Sequence, residues 1–212
     1  MLDLSCLLAG ITRLCAMPLL LYFWHRKTGA RFYPALAALA VCFPVFIIGG
    51  FIRSNFSQED FIAYYLSQGL LYGILEEGAK FLVLRYLLTS CDRRQDAVSY
   101  GIGHGAFEEF AAGISCLGLI GTDRAAPDIF WFALLTVTTG ALGTAALTLL
   151  IFYGIRTGRA KFLVPLAMLL HCIGNASQGL FSEPFAILTV ILLTAGECYA
   201  ACRCWRDAGT YG

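Results

Sequence analysis

Charge is scarce in this sequence. Asp, Glu, Lys and Arg make up 14% of its 212 residues, where soluble domains carry about 25%. Hydrophobic residues make up 58%, and mean hydropathy is +0.72. This balance excludes a soluble globular domain and a disordered chain, and no nucleic-acid partner is expected. No CxxC occurs among the nine cysteines, whose number is odd and most of which fall in apolar stretches. Neither a disulfide framework nor a zinc knuckle is therefore expected, and most cysteines read as small apolar packing residues. No HExxH occurs, which removes the usual helical zinc pair. No Ser or Cys has an obvious paired base; Cys172 and Ser177 are candidate nucleophiles by position only. Internal repeats, low-complexity segments and a soluble domain are also missing, so residues 1–212 read as a single integral membrane domain.

What is present is a series of long apolar runs. They cover Leu4–Trp24, Phe32–Ile52, Phe61–Leu88, Val98–Ile120, Ile129–Tyr153, Phe162–Phe181 and Phe185–Ala201. A spanning helix needs about 20 such residues. The expected fold is an all-α bundle of about seven transmembrane helices, a multi-pass protein of the cell membrane with the bilayer as its solvent. The first run lacks a basic n-region and an A-x-A cleavage pattern, so it reads as a retained span. Alternate links carry ten basic residues: Arg26, Lys27 and Arg31, then Arg93 and Arg94, then Arg156, Arg159 and Lys161, then Arg203 and Arg206. The other links hold two, Arg53 and Arg124. The positive-inside rule then puts the N-terminus outside and the C-terminus in the cytoplasm.

The few charges within the runs are concentrated. Glu76, Glu77 and Lys80 interrupt the third run, and an ionised group at the centre of a spanning helix costs about 2.5–3.5 kcal/mol. Glu76 and Lys80, four apart, share a helix face with Gln68 and Tyr72 and invite an internal ion pair. Glu77 falls on a face with Gly69 and Gly73, suited to close helix contact. The fourth run holds His104 and Glu108, four apart, among glycines at 101, 103 and 105 that let another helix or a substrate backbone approach. The sixth holds His171 and Asn175, again four apart. At 1.5 Å per residue these groups lie about 10–20 Å from the same end of their helices. Three helices thus bring polar groups to overlapping depths, which argues for one buried site. Arg13 and Glu197 are further interior charges and are candidate partners for each other. The fifth run, with Thr136, Gly140 and Thr144 on one face, reads as scaffold. Carboxylates, a His and an amide without a clear nucleophile suggest activation of water.

Three patterns in this order resemble the superfamily of CAAX prenyl proteases, PrsW and bacteriocin-processing enzymes. They are Glu76-Glu77-x-x-Lys80, His104-x-x-x-Glu108 and His171-x-x-x-Asn175. The form Gly101-x-Gly103-His104-Gly105-x-x-Glu108 is most similar to the YhfC family of glutamic-type intramembrane peptidases. The second pattern departs from the prenyl-protease branch, which has Phe at the place of His104 and His at the place of Glu108. The resemblance implies hydrolysis of a peptide bond in a membrane protein or peptide substrate, without a cofactor. It implies that Glu76 activates water, that Glu108 with His104 assists, and that His171 and Asn175 stabilise the oxyanion. Glu77 and Lys80 would hold the site in register. Two alternatives stay open. Glu76, His104, Glu108 and His171 suit the ligands of a zinc metalloprotease, and interior acids also suit a transporter or an immunity-type binding protein.

Overall fold

The computed structural model describes residues 2–56, 61–122 and 128–208. Part of the Arg53–Asp60 link, and Arg124 and Pro127 of the Thr122–Asp128 loop, lie outside them. The described residues form seven helices and no strand. These are α1 (Leu2–Thr28), α2 (Tyr33–Arg53), α3 (Phe61–Leu82), α4 (Arg94–Leu117), α5 (Ile129–Arg156), α6 (Ala160–Leu180) and α7 (Glu183–Ala208). A π-helical segment, Val83–Leu87, continues α3. Five helices are long and apolar enough to cross a membrane: α1, α2, α5, α6 and α7. The two that fall short, α3 and α4, carry Glu76, Glu77, Lys80, Glu108 and Glu109. The residues that suggest chemistry are also those that lower apolarity.

Helix ends follow local chemistry. Gly29 closes α1 at φ 65° and Gly158 sits between α5 and α6 at φ 70°, a backbone region that L side chains resist. Pro34 lies in the first turn of α2, where its missing N–H costs nothing. Helix α4 begins at Arg94, earlier than its apolar run suggests, because Asp96 in its first turn is satisfied from outside the helix. The Asp96 carboxylate is fully buried and accepts from the Arg31 backbone N–H at 2.8 Å and the Arg93 guanidinium at 2.9 Å. At the same end the Arg94 guanidinium donates to the Trp205 carbonyl and stacks over the Trp205 ring, while Arg156 donates to the Cys91 carbonyl. The basic links thus tie helix ends together. Beside them lies the main apolar core, including Val83, Leu84, Tyr100, Leu147, Leu150, Ile151 and Val164.

Helix α4 sits at the centre, against α1, α2 and α5. Its glycines make this possible. A Cβ on Gly103 would lie 2.5 Å from the Ala35 backbone of α2, and one on Gly101 would lie 2.7 Å from Ala145 Cα of α5. One on Gly105 would lie 2.5 Å from Met17 of α1. The glycines around His104 therefore admit three neighbouring helices, and no room beside them is left for a substrate backbone. Helix α1 closes on α4 in the same way, with Gly10 facing the Gly113 carbonyl and Gly113 facing Arg13.

Overpacking a close contact costs about 1–3 kcal/mol. Gly103→Ala should therefore lower thermal stability in detergent by that amount. Gly50→Ala, at a helical position with open space around it, should change stability little. Equal melting temperatures for both variants would contradict the packing described for α2 and α4.

Candidate active site

The site begins with how α3 meets α6. Gly69 and Gly73 lie two turns and one turn before Glu77 on one face of α3. A Cβ on Gly69 would lie 2.6 Å from the Cys172 carbonyl oxygen, and one on Gly73 would lie 2.5 Å from Cys172 Sγ. This contact carries Glu77 against His171. Glu77 Oε1 accepts from His171 Nδ1 at 2.6 Å and from Lys80 Nζ at 2.6 Å. Glu77 and Lys80 are both fully buried. The expected Glu76–Lys80 pair is not formed: Lys80 turns to Glu77, three residues back. On a helix both spacings face each other, and the buried Glu77, held against α6, is the carboxylate that needs a cation.

Glu76, about 100° further round the helix, is freed for other partners. Its Oε2 lies 3.1 Å from His104 Nε2 and 3.5 Å from His171 Nε2. Glu108, one turn beyond His104, brings Oε1 to 3.1 Å from the same His104 nitrogen. Both imidazoles therefore present Nε2 to the centre, and each has its Nδ1 engaged behind. His171 Nδ1–H donates to Glu77, and His104 Nδ1 lies 3.0 Å from the buried Cys42 thiol of α2. Glu76, His104, Glu108 and His171 come from α3, α4 and α6 to one place. Asn175 stands half-buried on the wall of the adjoining cavity with Glu108 and His171, and makes no side-chain hydrogen bond among the described residues.

That cavity measures about 780 Å³, a size typical of ligand pockets. It runs from Asp128, Phe181 and Glu183 at one end of the bundle to Leu147 and Leu170 in its depth. Thr136, Gly140 and Thr144 form part of its wall, so the face of α5 read as scaffold also bounds the cavity. Arg13 is another wall residue, and its expected pairing with Glu197 does not occur. Its guanidinium donates to Glu109 at 2.6 Å and to Thr136 Oγ1 at 2.6 Å. The close approach of α1 and α4 at Gly10 and Gly113 puts Glu109 nearest.

The donor set fits a divalent metal. Carboxylate and imidazole are the N/O ligands such ions take. The Glu77–His171 arrangement is the outer carboxylate that orients a ligating imidazole. Glu76, His104 and Glu108 offer ligand atoms within 4.8 Å of one another. Glu108 Oε1 is buried and accepts no hydrogen bond among the described residues, although His104 Nε2 is near. Charge agrees as well. With neutral imidazoles, the carboxylates of Glu76, Glu77 and Glu108 face one ammonium, Lys80. The sequence reading had no means to find Cys42, a lone thiol in an apolar run with no spacing relation to His104.

The buried Glu77–Lys80 pair makes a prediction. Removing one partner of such a pair costs about 3–5 kcal/mol. Glu77→Gln should therefore lower thermal stability strongly, and adding Lys80→Met should recover part of the loss. Glu76→Gln should stay close to wild type in stability. A stable Glu77→Gln chain would contradict the structural role of the pair.

Residues 45–122 match the model of a family described as YhfC intramembrane metalloprotease. The match includes all of α3 and α4, with Glu76, Glu77, Lys80, His104 and Glu108, and ends before α6, which carries His171 and Asn175. No curated protein and no solved structure matches at a significant level. Over the two helices that supply the paired glutamates and the His104–Glu108 turn, the chain is similar to the YhfC intramembrane metalloproteases.

Proposed function

We propose that this chain is an intramembrane peptidase that hydrolyses a peptide bond of a membrane-embedded or membrane-adjacent substrate. The observation that carries the reading is the meeting of Glu76, His104, Glu108 and His171 beside a cavity large enough for a peptide segment. The matched family's description, an intramembrane metalloprotease, supports the reaction class. Seven spans with the N-terminus outside remain our reading of the topology, on the strength of the alternating basic links. The cavity end at Asp128 and Glu183 then faces outward.

The roles follow from position. Glu76, His104 and Glu108 would hold a divalent metal, with the His171 imidazole a further donor beside Glu76. When bound, such an ion polarises a carbonyl and makes water nucleophilic at neutral pH. Glu108 is the most exposed member of the cluster, with a side chain 39% accessible. With Oε1 turned to the cluster, its second oxygen faces the cavity, takes the water proton and returns it to the leaving amine. Asn175, on the same wall, donates its amide N–H to the developing oxyanion. Glu77 fixes the tautomer and orientation of His171, and Cys42 does the same for His104.

A second reading rests on a separate contact. The 3.1 Å approach of Glu76 Oε2 to His104 Nε2 also suits a glutamate base that passes its proton to an imidazole, with no ion involved. Purified protein in liposomes, assayed on membrane-anchored peptides, separates the two. The metal reading expects one zinc or comparable ion per chain, lost in His104→Ala, with activity abolished by chelation and restored by the ion. Full activity after chelation, with no bound ion, would select the glutamate reading. In both, Glu76→Gln should lower turnover by about 10²–10⁴-fold. Near-normal hydrolysis by that variant would remove the cluster from catalysis.

A further inference from the structure

Glu197 of α7 is an interior acid that the proposed chemistry leaves unused and that, unlike Glu109, has no cation beside it among the described residues. It is 6% exposed and lines the cavity. Among the described residues it forms no ion pair and accepts no hydrogen bond. A Cβ on Gly143 would lie 3.1 Å from Glu197 Oε2, so the absence of a side chain at 143 is what gives the carboxylate its space. The nearby hydroxyls do not serve it. Thr139 Oγ1 donates to the Leu135 carbonyl, and Thr144 Oγ1 to the Gly140 carbonyl. The cavity's guanidinium, Arg13, is committed to Glu109 and Thr136. His171 turns its nitrogens toward Glu77 and Glu76.

The cavity as a whole has the same bias. Its wall carries Glu108, Glu109, Asp128, Glu183 and Glu197 against Arg13. A carboxylate withdrawn from water without a donor is costly, and what would relieve the cost must enter from the cavity. From the rim at Glu183 to Glu197 is about 21 Å along α7, at 1.5 Å per residue. A segment of peptide entering from the rim would pass Glu197 on its way along the wall.

Resting on the peptidase reading, we propose that Glu197 is a specificity-determining subsite that receives a Lys or Arg side chain of the substrate. The ammonium or guanidinium donates to the carboxylate, and Gly143 leaves room for the pair. Glu197 makes no contact with Glu76, His104 or Glu108 and takes no part in proton transfer.

The test measures binding, so it does not depend on cleavage. Fluorescent single-span peptides are made in pairs that differ by Lys or norleucine at one position, with that position scanned along the peptide. Binding to the full chain in nanodiscs is compared for wild type, Glu197→Gln and Glu197→Asp. A charge-assisted hydrogen bond in such a site corresponds to about tenfold or more. At one position Lys should bind tighter than norleucine by that factor in wild type, keep its preference in Glu197→Asp and lose it in Glu197→Gln. No preference at any position, or a preference that survives Glu197→Gln, would overturn the proposal. Cleavage of the same peptides is scored separately. Preference without cleavage would leave the subsite standing and remove the peptidase reading.

Discussion

The structure depends on one buried group of charges, Glu77 with Lys80 and His171. Carboxylate and ammonium are both withdrawn completely from solvent. In a low-dielectric interior two such ions repay their desolvation only when held close and hydrogen-bonded on several sides. Here the second donor to Glu77 comes from another helix, through His171 Nδ1. The contact therefore links α3 to α6 and sets the orientation of an imidazole. It is available only because Gly69 and Gly73 let the two helices touch. Small residues, a buried ion pair and an oriented histidine are parts of a single constraint.

From that constraint the rest of the site follows. With Lys80 engaged by Glu77, Glu76 is left to face His104 and His171. Helix α4 can supply His104 and Glu108 because its glycines let α1, α2 and α5 close around it. Both imidazoles are fixed from behind and present their other nitrogen to the same point. Such preorganisation suits hydrolysis, where donors and acceptors must be aimed before charge develops. It also leaves Glu197, on the wall of the same cavity, free to read the substrate.

Much of this was legible in the sequence. The apolar runs located every helix, since length and apolarity are local properties. With the π-helical continuation of α3 included, they set the ends to within four residues except at the C-terminal end of α7, which runs on from Ala201 to Ala208 through the polar Arg203 and Arg206. The spacing of four between His104 and Glu108 placed them on one face, and comparable depth suggested that three helices share a site. Pairings were less legible. Lys80 can reach back three residues or four, and only the position of α6 decides that Glu77 is its partner. Arg13 was assigned to Glu197 because both were isolated charges. The glycine contact between α1 and α4 gives it Glu109 instead. Cys42 left no trace, because a thiol in an apolar run looks the same whether it packs or faces a histidine.

The central claim is that a peptide segment enters this cavity and is cut at the Glu76–His104–Glu108–His171 cluster. Gly174 offers a place to watch it, since it lines the cavity and has open space at its Cβ position. A photoreactive residue there, in membranes carrying either the otherwise wild-type chain or Glu76→Gln, would capture whatever occupies the cavity for mass spectrometry. The account predicts an intact membrane segment crosslinked in Glu76→Gln and fragments of the same segment, ending at one bond, in the otherwise wild-type chain. Capture of the same intact segment by both chains would contradict it.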